Sequence, residues 1–130
     1  FLRDEMFTGI EGKGAFLNNK KIEVSKTDRI ENAILGIGFM RNEKDIEYGI
    51  YFLGKILKKI KRIRMMGSAS LDICYVASGR IDLTFHLHLN RWDYEGSKII
   101  LKEAGGEFEE IEKEGIRIFK SSNGKINLEI

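Results

Sequence analysis

Hydrophobic and polar positions change rhythm several times along this chain, and each change marks an element. Met6–Ile10 and Ala15–Leu17 read as short strands around Glu11-Gly12-Lys13-Gly14, whose glycines permit a tight turn. Asn18-Asn19 marks a second turn, before a strand at Lys21–Val24. Ala33–Phe39 is a β-rich run with the character of a central strand. Ile46, Gly49, Ile50, Leu53, Ile56, Leu57 and Ile60 then recur at helical spacing, so a helix starts near Glu43 with Asn42 as its cap. A strand over Arg62–Met66 stops at Gly67, and Ser68 can cap a second helix over Ala69–Ala77, apolar nearly all round. From Ile81 to Leu89 apolar residues alternate with Asp82, Thr84, His86 and His88. That pattern predicts a half-buried strand whose polar face meets solvent or a site. A third helix over about Tyr94–Ala104 ends at Gly105-Gly106. Strands at Glu107–Glu112 and Ile116–Ser121 follow, and Asn123 is placed to start a last short helix. The order predicts an α/β layered domain with a mixed β-sheet flanked by helices.

Composition changes that picture little. The chain has 130 residues, enough for one core, and no repeat or linker divides it, so residues 1–130 read as a single domain. Its 42% hydrophobic and 32% charged residues argue against disorder, and no apolar run is long enough to span a bilayer. The charged start at Phe1-Leu2-Arg3-Asp4-Glu5 predicts no signal peptide, and the single Cys74 suits a reducing cytoplasm. A net charge of +2 does not by itself call for a nucleic-acid partner. The basic run Lys55, Lys58, Lys59, Lys61, Arg62 and Arg64 reads as a solvated helix end. The absence of glutamine beside abundant Lys, Glu and Ile leans toward a thermophile's composition.

Candidate chemistry is sparse. Asp93 stands just before an apolar helix, where Asp is a preferred cap; a carboxylate there also suits Mg²⁺, which takes hard oxygen ligands, and the two roles are compatible. Gly67-Ser68-Ala69-Ser70 lies where a strand hands over to a helix, a place for an anion or a hydroxyl-rich ligand. His86 and His88 have a spacing that can bind metal, but no third ligand stands at motif spacing. No Gly-x-Ser-x-Gly, Walker A or dinucleotide fingerprint occurs.

Four segments together resemble the C-terminal half of the inositol monophosphatase family: Met6–Asn18 with the strand end Ile22–Ser25, Arg64–Asp72, Tyr75–Asp82, and Trp92-Asp93 through Glu103-Ala104-Gly105-Gly106. The resemblance covers nearly the whole chain. It implies the C-terminal domain of a sugar phosphatase-like fold, and a Mg²⁺-dependent phosphomonoesterase in which metal-activated water displaces an alcohol. On that pattern Asp93 is a metal ligand that also touches substrate, and Gly67, Ser68 and Ala69 contact the sugar or inositol. His86 stands where the family often has a glutamate that binds a substrate hydroxyl, which leaves fructose 1,6-bisphosphate or another sugar phosphate open beside inositol phosphate. The family's first signature, Asp-Pro-Ile/Leu-Asp-Gly-Thr, is absent, so the rest of the metal cage is expected upstream of Phe1 and the isolated chain is expected to be inactive. The resemblance further implies a cytoplasmic homodimer with a phosphorylated inositol or sugar as substrate, and with neither nucleic acid nor membrane as partner. The competing expectation is a non-catalytic binding or assembly module that keeps the phosphatase scaffold.

Overall fold

The computed structural model describes residues 4–39 and 42–129. Phe1–Arg3, read above for targeting, lie outside them. A small antiparallel sheet comes first: β1 (Phe7–Ile10), β2 (Gly14–Leu17) and β3 (Lys20–Ile22). Asn18 and Asn19 both take positive φ, as a two-residue hairpin joining Leu17 to its partner Lys20 requires. After an irregular stretch the chain forms β4 (Ile34–Gly38), α1 (Glu43–Ile56), β5 (Arg62–Arg64), α2 (Ala69–Ala77), β6 (Leu83–Leu87), α3 (Arg91–Glu103), β7 (Glu107–Lys113) and β8 (Ile116–Ser122). These five strands make one mixed sheet in the order β5-β4-β6-β8-β7. β4 runs parallel to both β5 and β6, while β8 is antiparallel to β6 and β7.

The helices divide between the faces of this sheet. Phe52 and Ile56 of α1 pack on Leu35, Ile37, Leu83, Phe85, Leu87 and Ile118. Ile73, Val76 and Ala77 of α2, with Tyr94 and Leu101 of α3, cover the other face around Ile81 and Phe119. The small sheet lies outside α2 and α3: Ala15 joins their core, and a Cβ on Gly9 would come within 2.9 Å of the Ile100 backbone. The mixed sheet flanked by helices is therefore present as the alternating pattern predicts.

Several local expectations are corrected. The greasy stripe expected of α1 is turned: Gly49 and Ile56 are buried with Asp45 and Phe52, but Ile50 is 64% and Leu57 61% exposed, and Ile46 is exposed too. Two non-local pairings set that rotation, the Phe52 ring stacking on Phe85 at 3.9 Å and Asp45 meeting His88. The strand β6 is buried on both faces rather than one, because α2 covers Thr84 and His86. The third helix begins at Arg91, with Asn90 rather than Asp93 as its cap. Among the described residues no helix follows Asn123; residues 123–129 stay irregular, and Ile126 and Leu128 complete the core beneath α1.

Buried Asn123 explains that ending. Its Nδ2 donates to the Thr27 carbonyl at 2.7 Å and to Ser25 Oγ at 3.0 Å, and its Oδ1 accepts from the Lys125 amide at 3.0 Å. Beside it Asp82 accepts from the Ile34 amide at 2.8 Å and from the Ser25 hydroxyl. This polar clasp pins the irregular stretch after β3 to the large sheet. Asn123→Ala strands its buried partners and is expected to destabilise the fold by about 2 kcal/mol. Urea unfolding reads this as a lower midpoint at unchanged slope.

Candidate functional site

Gly67, Ser68, Ala69, His86 and Asp93, the residues that the resemblance assigns to substrate or metal, come to one place. A cavity of about 400 Å³ opens at the C-terminal ends of the three parallel strands. Its lining includes Gly38 at the end of β4, Gly67, Ser68 and Ala69 after β5, His86 and His88 at the end of β6, and Asp93. The chain leaves β4 for a helix on one face of the sheet and leaves β5 for a helix on the other. Such a divergence opens a crevice beyond the strand ends, the usual position for a ligand in an α/β sheet.

Two helix starts meet at this crevice. Gly67 takes φ +82°, turning the chain from β5 into α2, and Ser68 Oγ accepts from the Leu71 amide at 3.3 Å. On α3, Asn90 and Asp93 form a reciprocal cap in which Asp93 Oδ2 accepts from the Asn90 amide at 2.9 Å. That bond uses one carboxylate oxygen; Oδ1 has no hydrogen-bond partner among the described residues. The positive ends of both helices favour negative charge in the cavity. At the far end of α3 Gly105 takes φ +91° and the Gly106 amide bonds back to Leu101 O at 2.9 Å, so the double glycine closes the helix.

Behind the wall stand two imidazole–carboxylate pairs that sequence reading did not find. His86 Nε2 lies 3.2 Å from Oδ2 of Asp72, a fully buried residue of α2. The contact is close but poorly aligned, since neither Asp72 oxygen nor His86 Nε2 makes a hydrogen bond among the described residues. His88 has φ +53°, which takes it out of the strand alternation; its Nε2 lies 3.1 Å from Oδ1 of Asp45 on α1. The two rings therefore meet carboxylates from opposite faces of the sheet, and the His-x-His spacing does not make a metal pair. No cluster of three or more metal-ligating side chains occurs among the described residues. Room for His86 comes from Gly38, where an added Cβ would sit 2.7 Å from Nδ1, and room for Asp72 from Gly36. The one available signal for these pairs was Gly-x-Gly on a strand facing a polar strand, which marks close approach without naming the partner. Cys74, by contrast, is buried, and desolvation pushes its thiol up to about 11, which leaves it unreactive.

The model of the inositol monophosphatase family matches residues 1–127. The chain belongs to the inositol monophosphatase family. Inositol monophosphatase 1 of Solanum lycopersicum is 42% identical over 106 residues, covering 79% of this chain and 39% of that protein. Nus factor SuhB of Escherichia coli is 36% identical over 106 residues, covering 81% of this chain and 40% of that one. Among solved structures, the Thermotoga maritima IMPase superposes with a TM-score of 0.81 at 32% identity, over 94% of this chain and 48% of the other. The chain thus spans about two fifths of the length of these curated relatives. Within the family's fold, Gly67–Ala69, His86 and Asp93 all face the cavity at the strand ends.

Proposed function

We propose that this chain is the C-terminal part of a Mg²⁺-dependent phosphomonoesterase that hydrolyses inositol monophosphate or a related sugar phosphate. One observation carries the reading: in a chain of this family, Asp93, Gly67–Ala69 and His86 line a single cavity where two helix starts converge. Asp93 suits Mg²⁺ in kind, as a carboxylate with one oxygen left over after capping. It is the only carboxylate lining the cavity among the described residues, and one carboxylate is not a cage. The remaining ligands belong to other parts of a longer protein. When bound, the metal would supply Lewis-acid stabilisation of the phosphate and an activated water.

This chain's own residues orient the ester. The amide-rich starts of α2 and α3 draw the phosphate toward Asp93. Gly67, Ser68 and Ala69 present backbone and hydroxyl groups to the alcohol half, and the buried His86 closes that side. An imidazole in place of a carboxylate alters which alcohols fit, and fructose 1,6-bisphosphate remains an alternative substrate. A homodimer and a cytoplasmic setting follow from the same family reading, without a membrane or nucleic acid as partner. No helix of the described residues is long and apolar enough to cross a membrane, and the lysines after α1 are exposed.

The lone carboxylate and the Nus factor SuhB relatives favour one second reading, a non-catalytic assembly module on the same scaffold. The test is Mg²⁺-dependent phosphate release from inositol 1-phosphate and fructose 1,6-bisphosphate, by the 130-residue chain and by a form extended with its upstream coding sequence. Turnover is expected from the extended form alone. Robust turnover by the shorter chain refutes the incomplete site, and none from either leaves the module.

A further inference from the structure

We propose that His88, positioned by Asp45, accepts a hydrogen bond from a hydroxyl of the alcohol half of a polyol phosphate; this rests on the phosphatase reading above and extends its alcohol recognition. Three observations converge on His88. It lines the same cavity as Asp93 and Gly67–Ala69. It holds φ +53°, an uncommon conformation for a residue with a side chain, and such strain concentrates where a side chain must be aimed. Its ring is backed by a carboxylate that is itself 1% exposed, with Asp45 Oδ2 left without a partner among the described residues.

The carboxylate decides what the ring can offer. Asp45 Oδ1 lies 3.1 Å from Nε2, and a bare nitrogen lone pair facing an acceptor-only carboxylate at that distance is repulsive. In the neutral ring the proton therefore sits on Nε2, and Nδ1 carries the lone pair. Nδ1 has no hydrogen-bond partner among the described residues, and the side chain is 28% exposed. In that neutral form Nδ1 is an acceptor left over on a residue that lines the cavity, and a hydroxyl is the donor that the alcohol half of a sugar or cyclitol phosphate provides. Asp45 reaches the ligand only through the ring, so it is a positioning residue. His86 lies against Asp72 from the opposite face, so that two imidazoles near the end of β6 line one cavity.

Two readouts test this. Long-range proton–nitrogen correlation on the labelled chain is expected to show His88 as the Nε2–H tautomer. Adding inositol 1-phosphate is expected to shift its Nδ1 resonance, while inorganic phosphate at the same concentration is not. An Nδ1–H tautomer, or equal responses to the two additions, overturns the proposal. Asp45→Asn should redistribute the His88 tautomers, which a merely structural aspartate would leave alone. In the extended, active form, His88→Ala should lower the ratio of kcat/KM for inositol 1-phosphate to that for 4-nitrophenyl phosphate about tenfold. His88→Gln, which keeps an acceptor, should retain more of it. An unchanged ratio beside intact turnover overturns the role of His88 and leaves the phosphatase standing. If the unmodified protein hydrolyses neither ester, the phosphatase reading fails, and the tautomer and ligand-shift measurements still decide the role of His88.

Discussion

Asp93→Asn in the extended phosphatase is expected to lower Mg²⁺-dependent phosphate release by a factor on the order of a hundred or more, while the fold barely changes. The two halves of that expectation come from the two oxygens of one side chain. Oδ2 accepts from the Asn90 amide, and an asparagine carbonyl can accept the same bond. The stability change is then limited to losing a negative charge at the start of α3, worth about 0.3–1 kcal/mol. What asparagine cannot replace is the anionic oxygen that the proposed role assigns to the metal. Asp93→Ala removes the cap as well, and should cost about 1 kcal/mol of stability beyond the asparagine variant. Phosphate release and thermal melts on both variants separate the roles. Activity that survives in Asp93→Asn makes Asp93 a cap alone.

Gly38→Ala is expected to destabilise the protein by about 2–3 kcal/mol, a large effect for a single methyl group. The methyl would sit 2.7 Å from His86 Nδ1 and 3.0 Å from Cε1, inside contact distance of a ring that cannot swing away. Asp72 stands behind that ring, and β6 is buried on both faces. The clash belongs to the pair rather than to the glycine, which makes the prediction sharper. In a His86→Ala background the same substitution should be nearly neutral, so a double-mutant cycle by urea unfolding should return a coupling of about 2–3 kcal/mol. Equal costs in the two backgrounds would show that the strand needs glycine for another reason.

The sequence made the scaffold legible wherever local chemistry decides it. The second helix spans Ala69–Ala77 as read, because a positive-φ glycine and a capping serine stand at its start and Gly79 shortly after its end. The third helix was displaced at its start because Asn90 and Asp93 are both competent caps, and only the reciprocal bond shows which one holds the Ncap position. Spacing found a helical stripe in α1, but Ile46 and Ile50 satisfy the same period as Asp45, Gly49 and Phe52. The choice between them was made by Phe85 and His88, which lie far along the chain from Phe52 and Asp45. Alternation in β6 was read correctly as far as Leu87, but a polar face with buried partners in Asp72 and Ser121 looks in sequence like a face turned to water. Of the candidate site, Gly67–Ala69, His86 and Asp93 were reached through a resemblance between motifs. The carboxylates behind the two histidines were not reached, because no sequence spacing links residue 45 to 88 or 72 to 86.

The position of β6 between β4 and β8 has a further consequence, for time rather than geometry. Its amides are held in ladders on both edges and covered on both faces, so residues 83–87 belong to the part of the molecule that exchanges hydrogen only when the whole fold opens. His86 rides on that most persistent segment. A ligand entering the cavity meets a wall that is already fixed, and surrenders little of its binding free energy to ordering the protein.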